Sequence, residues 1–252
     1  MSILIALDAG HGNNTAGKRT PKFDDGTFMK ENEFNKGTVK HLKVMLERCG
    51  FRTLDVAPEA SDTPLNVRTK RANDANANLY VSVHANAFGA TWSSANGIET
   101  WIDKKVGKTL QVALKVQNEM IIATKLKDRG VKESNGSLAV LRDTKMDAFL
   151  VECGFMTNKW EAMLLKSEDY RKKCAEAICK GICKFYGVSY VEEKREDDEV
   201  IEKAKIIVEG EEIDIERILK DGVNFVKLRD LADTFGYEIS FKGSVAILTK
   251  KK

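Results

Sequence analysis

Ile3-Leu4-Ile5-Ala6-Leu7-Asp8-Ala9-Gly10-His11-Gly12 is the stretch that decides the fold. Residues 3–8 run apolar and partly β-branched to a closing Asp, then meet glycine, which predicts a buried strand. A strand buried on both faces belongs to a sheet covered by helices on both sides. His11 lies just past the strand end. The pattern recurs twice. Leu79–Val83 runs almost wholly apolar into His84-Ala85-Asn86, and Phe149-Leu150-Val151 runs into Glu152-Cys153-Gly154. Strand ends on one edge of an α/β sheet converge in space, so two imidazoles and a carboxylate are expected to meet there.

Working outward, helices alternate with the strands. Residues 9–30 form a long Gly-, Asn-, Thr- and Lys-rich loop, of a length that is often functional. A helix is expected from Glu33 to Cys49, stopped by Gly50. Phe51–Asp55 is a strand, and Pro64 opens a helix to Asn76. Ile98–Ile102 is a strand, residues 108–126 a helix, and residues 159–186 one long helix ending at Gly187. This alternation predicts an α/β domain with a largely parallel sheet covered on both faces, over residues 1–188. Residues 189–205 read as a charged linker around Val191-Glu192-Glu193-Lys194-Arg195-Glu196. Residues 206–252 then hold short strands and one short helix (227–235), which predicts a second, small α+β domain near the lower size limit for independent folding.

The bulk numbers bound the function. The chain has 252 residues, 42% of them hydrophobic, enough for a core. Residues 189–252 carry 12 basic and 16 acidic side chains, a balance of −4, so with +3 overall residues 1–188 hold +7. A basic front part suits an anionic polymer, nucleic acid or a teichoic-acid-bearing wall. A nucleic-acid role is disfavoured, because the basic and aromatic residues form no recognisable module. Five cysteines without close pairing argue for free thiols and a reducing compartment. Cys179 and Cys183 stand four residues apart on a helix and read as buried small residues rather than metal ligands. Met1 leads straight into the first strand, so no secretory signal is expected, and no apolar run approaches the ~18 residues of a membrane span. The expectation is synthesis in the cytoplasm, with no membrane insertion.

His11 and His84 together point to a metal. His41, the third histidine, sits mid-helix beside lysine and reads as surface. An acid must complete a two-His, one-carboxylate set, and the candidates are Glu31, Glu33 and Glu152. Acids at a helix start are also favoured by the dipole alone. Glu152 ends an apolar strand, where a carboxylate is costly unless it pairs, binds metal or does acid/base work.

The ordered motifs are Leu7-Asp8-Ala9-Gly10-His11-Gly12, Glu31 with Asn35, Arg68 with Ala72-Asn73, Ser82-Val83-His84-Ala85-Asn86, Gly97-Ile98-Glu99-Thr100, Leu138-Ala139-Val140-Leu141 and Val151-Glu152-Cys153-Gly154-Phe155-Met156-Thr157-Asn158. In this order, residues 2–187 resemble the zinc-dependent N-acetylmuramoyl-L-alanine amidases of bacterial autolysins and phage endolysins. The resemblance implies zinc held by His11, Glu31 and His84, with Glu31 selected over Glu33 by Asn35. It implies Glu152 as the catalytic carboxylate. It also implies peptidoglycan as substrate, cut at the amide between N-acetylmuramic acid and L-Ala. The chain departs from the pattern after His11, reading Asn13-Asn14-Thr15 where further glycines are usual. Arg68 reads as a structural ion pair, and Asn86 and Asn158 as turn-formers or orienting groups.

Residues 206–250 resemble the small domain named for the N-terminal region of copper amine oxidase, through Ile206–Gly210, Asp221–Ala232, Phe235–Phe241 and Val245–Thr249. No His or Cys lies in that segment, so no copper site is expected there. The resemblance implies a wall-binding domain, with a homodimerising or stabilising module as the alternative. The leading expectation is an endolysin of a clostridial phage, acting at the wall. A sporulation or autolytic amidase and a zinc peptidase of the stem peptide are the rivals.

Overall fold

Strand β1 (Leu4–Ala9) is the strand expected from the opening stretch, and its side chains feed two different cores. Ile5, Leu7 and Ala9 enter one apolar cluster, while Leu4 and Ala6 enter the other. That is the period-two alternation of a strand covered on both sides. The computed structural model describes residues 3–193, 202–208, 210–220, 222–243 and 245–251. They fall into two compact units, residues 1–192 and 193–252.

The first unit is built on a six-stranded sheet. Its strands are β1, β2 (Arg52–Asp55), β3 (Leu79–Asn86), β4 (Ile98–Ile102), β5 (Asp128–Glu133) and β6 (Asp147–Phe155), in the order β2-β1-β3-β6-β4-β5. The pairs β1–β2, β1–β3 and β3–β6 are parallel; β4 runs antiparallel to β6 and parallel to β5. The sheet is therefore largely parallel, as expected. Helices α1 (Glu31–Arg48), α3 (Gly107–Thr124) and α6 (Glu168–Tyr186) cover one face, through Leu42, Val116 and Ile178 among others. Helices α2 (Leu65–Asp74) and α4 (Ala139–Arg142) cover the other, through Ala72, Val140 and Leu141.

Several elements differ from expectation for physical reasons. The expected helix 159–186 is two, α5 (Lys159–Lys166) and α6. Ser167 adopts an extended backbone between them, and its hydroxyl accepts from the Tyr170 N–H, capping α6. Strand β5, Asp-Arg-Gly-Val-Lys-Glu, is a polar edge strand without apolar alternation. α4 is a single turn, too short to show a period. β6 extends past the expected Phe149–Val151 at both ends. α1 begins at Glu31, two residues before the expected start.

The second unit contains an antiparallel sheet of β7 (Glu202–Val208), β8 (Glu211–Lys220) and β9 (Val223–Val226), helix α7 (Leu228–Thr234), and the hairpin β10 (Tyr237–Lys242) with β11 (Val245–Lys250). β8 was not expected from the sequence, although Glu212-Ile213-Asp214-Ile215-Glu216 alternates polar and apolar with the period of a half-buried strand. Of the expected linker 189–205, residues 194–201 lie outside the described residues. Residues 188–191 still belong to the first unit: Val188 N–H donates to Cys183 O and Val191 N–H to the Cys49 sulfur.

Candidate metal centre and catalytic groove

The C-terminal ends of β1, β3 and β6 bring the expected residues together. In β3 and β6, His84 and Glu152 are register partners. His11 follows β1 in the left-handed region, φ 59°, a costly backbone state for a residue with a Cβ. The surroundings impose it. Asn32 donates to the carbonyls of Gly10 and His11, at 2.9 and 2.8 Å, and Asn35 donates to Gly10 O at 2.9 Å. Glycines flank the turn because nothing larger fits. A Cβ on Gly12 would stand 2.1 Å from the Asp62 backbone nitrogen.

Arg68 anchors the same loop from below. Its guanidinium, 1% exposed, pairs with Asp8 at 2.6 Å and donates to Thr63 O, Ala9 O, His11 O and Asp62. Asp8 also accepts from the Ser82 hydroxyl at 2.7 Å. Arg68 is the structural ion pair that the sequence suggested, tying β1, β3 and α2 to the histidine turn.

Glu31 lies in the first turn of α1 and stands between the two imidazoles. One carboxylate oxygen is 2.9 Å from His84 Nδ1 and also accepts from the Ala85 N–H; the other is 3.3 Å from His11 Nε2. One potential ligand atom from each of the three residues falls within 4.8 Å of the others. The rings of His11 and His84 meet edge to face, centroids 5.0 Å apart. Glu33 is exposed on α1 and is not among the groups that meet here. His41 instead contacts Glu168, at 2.7 Å.

The electrostatics suit a cation. Burial, partly offset by the Glu31 charge, pushes His11 down to about 4, so it is neutral and offers a lone pair at pH 7. Burial opposes ionisation of Glu31, but the hydrogen bond and charge of His84 outweigh it and hold the carboxyl low. Burial likewise acts against charge on His84, and Glu31 wins there too, raising it. Burial pushes Glu152 up to about 8. Glu152 Oε2 is buried and has no hydrogen-bond partner. Two nitrogen donors, one carboxylate and an unpartnered carboxyl oxygen beside them fit a catalytic zinc that keeps a position open for water.

The groove over these groups encloses about 430 Å³ and is walled by Pro64, Leu65, Leu138, Ala139 and Val140, with Lys18 beside His11. Lys18 escaped the sequence reading, since one lysine in a polar loop carries no signal. Glu99 stood within the motif Gly97-Ile98-Glu99-Thr100, but no role was expected for it. This buried carboxylate, opposite Glu152 across β4 and β6, takes Arg129 Nε at 2.6 Å, Asn86 at 2.8 Å and Trp101 at 3.0 Å. Asn86 thus orients on Glu99, while Asn158 caps α5 by accepting from Trp160 and Glu161 N–H.

The family model described as N-acetylmuramoyl-L-alanine amidase matches residues 5–184. The chain belongs to the N-acetylmuramoyl-L-alanine amidase family. Members of this family are in general zinc-dependent hydrolases, and the chain is a peptidoglycan amidase. It is 33% identical over 186 residues to the amidase LytC of Bacillus subtilis, covering 72% of this chain and 35% of LytC. It is 31% identical over 220 residues to the endolysin of Bacillus phage SPP1, covering 82% of this chain and 76% of that one. A crystal structure of an N-acetylmuramoyl-L-alanine amidase from Clostridium difficile 630 is 30% identical, with TM-score 0.67, covering 74% of this chain and 97% of that one. These matches to known amidases make the fold an amidase fold. Among the described residues no helix is long and apolar enough to cross a membrane.

Proposed function

We propose that the chain is a zinc amidase of the endolysin type, with His11, Glu31 and His84 holding the metal and Glu152 as catalytic carboxylate. The observation that carries this is the convergence of the three donors within 4.8 Å beside a buried carboxyl oxygen with no partner. When bound, zinc supplies Lewis acidity that brings a water toward a pKa of ~7 and polarises the amide carbonyl. Glu152 takes the proton of the attacking water and returns it to the leaving nitrogen. A cation at the three donors would offset the burial that raises the Glu152 carboxyl in the metal-free chain, and so favour the ionised form that accepts the water proton. The bond broken joins the lactyl carboxyl of N-acetylmuramic acid to the amine of L-Ala, releasing the stem peptide. The apolar walls of the groove exclude water, and Lys18 offers a cation to the acidic stem.

The endolysin reading is supported by the SPP1 endolysin, of which the chain covers 76%. A clostridial wall as target is supported by the likeness to the C. difficile enzyme. A bacterial enzyme of sporulation or autolysis is the second reading, favoured by the likeness to LytC. The C-terminal unit binds wall polymer in this proposal, and Phe225, Phe241 and Ile247 are apolar side chains it leaves exposed for the purpose. Binding there raises the effective concentration of the enzyme on its polymer. Loss of wall co-sedimentation on removing residues 193–252, with release from soluble muropeptides kept, is the expected result. Unchanged co-sedimentation excludes the role.

Glu152→Gln and Glu31→Gln test the site. Glu152→Gln is expected to keep zinc and lose peptide release, and Glu31→Gln to lose both. Normal release by Glu152→Gln removes Glu152 from the chemistry.

A further inference from the structure

A second cluster of metal-ligating side chains lies at the other end of α1. Cys49 follows the last turn of α1, while Cys179 and Cys183 stand one turn apart on α6. All three are buried, and their sulfurs lie within 4.8 Å of one another, with Cys49 and Cys179 at 4.0 Å. The helical spacing explains why two of the thiols share a face; it does not explain the third, which tertiary packing brings to the same point. The Val191 N–H donates to the Cys49 sulfur at 3.3 Å, and Val191 O in turn accepts from Arg48 Nε at 2.9 Å. Burial raises the Cys49 thiol, and this backbone donor works against it in favour of the thiolate form that binds metal.

We propose that Cys49, Cys179 and Cys183 form a three-sulfur site for a soft d10 cation of the copper(I) class, tying the end of α1 to α6. Three sulfurs at a thiolate–metal distance of ~2.3 Å sit ~4.0 Å apart in a trigonal plane, which is the Cys49–Cys179 separation. Thiolates select soft ions. Structural zinc takes four ligands almost always, and among the described residues no His, Asp or Glu joins the three sulfurs. The donor number therefore favours copper(I) over zinc. Binding converts thiols to thiolates, so up to three protons leave to solvent as the ion enters. The site is separate from the amidase centre: Glu31 opens the 18-residue α1 whose end Cys49 follows, about 27 Å along the axis. It stands whether or not the zinc reading does.

The test titrates the full chain, reduced and under nitrogen, with copper(I) against bicinchoninate as a coloured competitor. One ion per chain is expected. Cys179→Ser with Cys183→Ser should hold it at least about 100-fold more weakly, while Cys174→Ser, a buried thiol of α6 outside the cluster, retains it. Copper should raise the melting temperature of the wild type and not that of the double variant. X-ray absorption of the loaded wild type should show sulfur neighbours alone, and this reading needs no variant to fold. Absence of binding by the folded wild type, unchanged affinity in the double variant, or nitrogen among the neighbours overturns the site. So does a Cys49–Cys179 disulfide forming in place of the complex.

Discussion

Gly10→Ala tests the site geometry without substituting any proposed ligand. A Cβ at position 10 would stand 2.2, 2.4 and 2.6 Å from three ring atoms of His84. Ordinary contact begins near 3.4 Å, so the ring or the β1 backbone must retreat by about 1.2 Å. Metal ligation tolerates about 0.2 Å, so the displacement is several-fold too large. His84 must also leave its 2.9 Å contact with Glu31. Crowding of this kind costs roughly 1–3 kcal/mol. For a unit of this size that is a melting-temperature loss of roughly 2–12 °C. Zinc affinity is expected to fall at least about 100-fold, and peptide release by at least a similar factor. Chelator competition for zinc and calorimetry read the two effects separately. A Gly10→Ala protein with wild-type zinc affinity and unchanged melting temperature refutes the reasoning, because it means the His84 ring does not rest on Gly10.

Other outcomes follow from the same contacts. Asp8→Ala removes the buried one of the two carboxylates that pair with Arg68, leaving Asp62, and should cost roughly 1.5–3 kcal/mol, read by denaturant unfolding. Glu33→Gln should leave zinc content and activity unchanged, since Glu33 is exposed; loss of metal would move the third ligand there. Glu152→Gln should lower kcat by roughly 10²–10⁴. In metal-free protein the Glu152 carboxyl is raised from 4.5 to about 8. Its contribution to stability is therefore full below pH 4.5 and lost as pH rises toward 8. Wild type should thus lose more stability than Glu152→Gln between pH 5 and 8, measured by unfolding in chelator; parallel curves contradict the shift.

What was legible in the sequence was whatever local pattern encodes. The buried strands read out because both faces are covered, so their residues are apolar in continuous runs. His11, His84 and Glu152 read out because each breaks such a run at its end. Between Glu31 and Glu33 the local chemistry is neutral, because both suit a helix start; the resemblance chose Glu31 through Asn35, and the packing of α1 sets Glu31 beside the two histidines and leaves Glu33 exposed. Arg68 was legible as an ion pair but not as the anchor of the histidine turn, since its partners Asp8 and Asp62 come from different segments. β5 hid because an edge strand needs little apolar surface. The break at Ser167 did leave a signal, the polar run Lys166-Ser167-Glu168-Asp169 with a capping serine before two acids, which the expectation of one long helix passed over. Cys49 hid as a partner of Cys179 because 130 residues separate them.

The central claim is hydrolysis of the muramoyl–L-Ala amide by a metal held at His11, Glu31 and His84. Mass analysis of fragments released from purified peptidoglycan, with chelator and then with zinc restored, tests it most directly. The account predicts stem peptides with a new N-terminal L-Ala, abolished by the chelator and recovered with zinc. Release of amino groups from inside the stem peptide, or release that ignores the chelator, contradicts it.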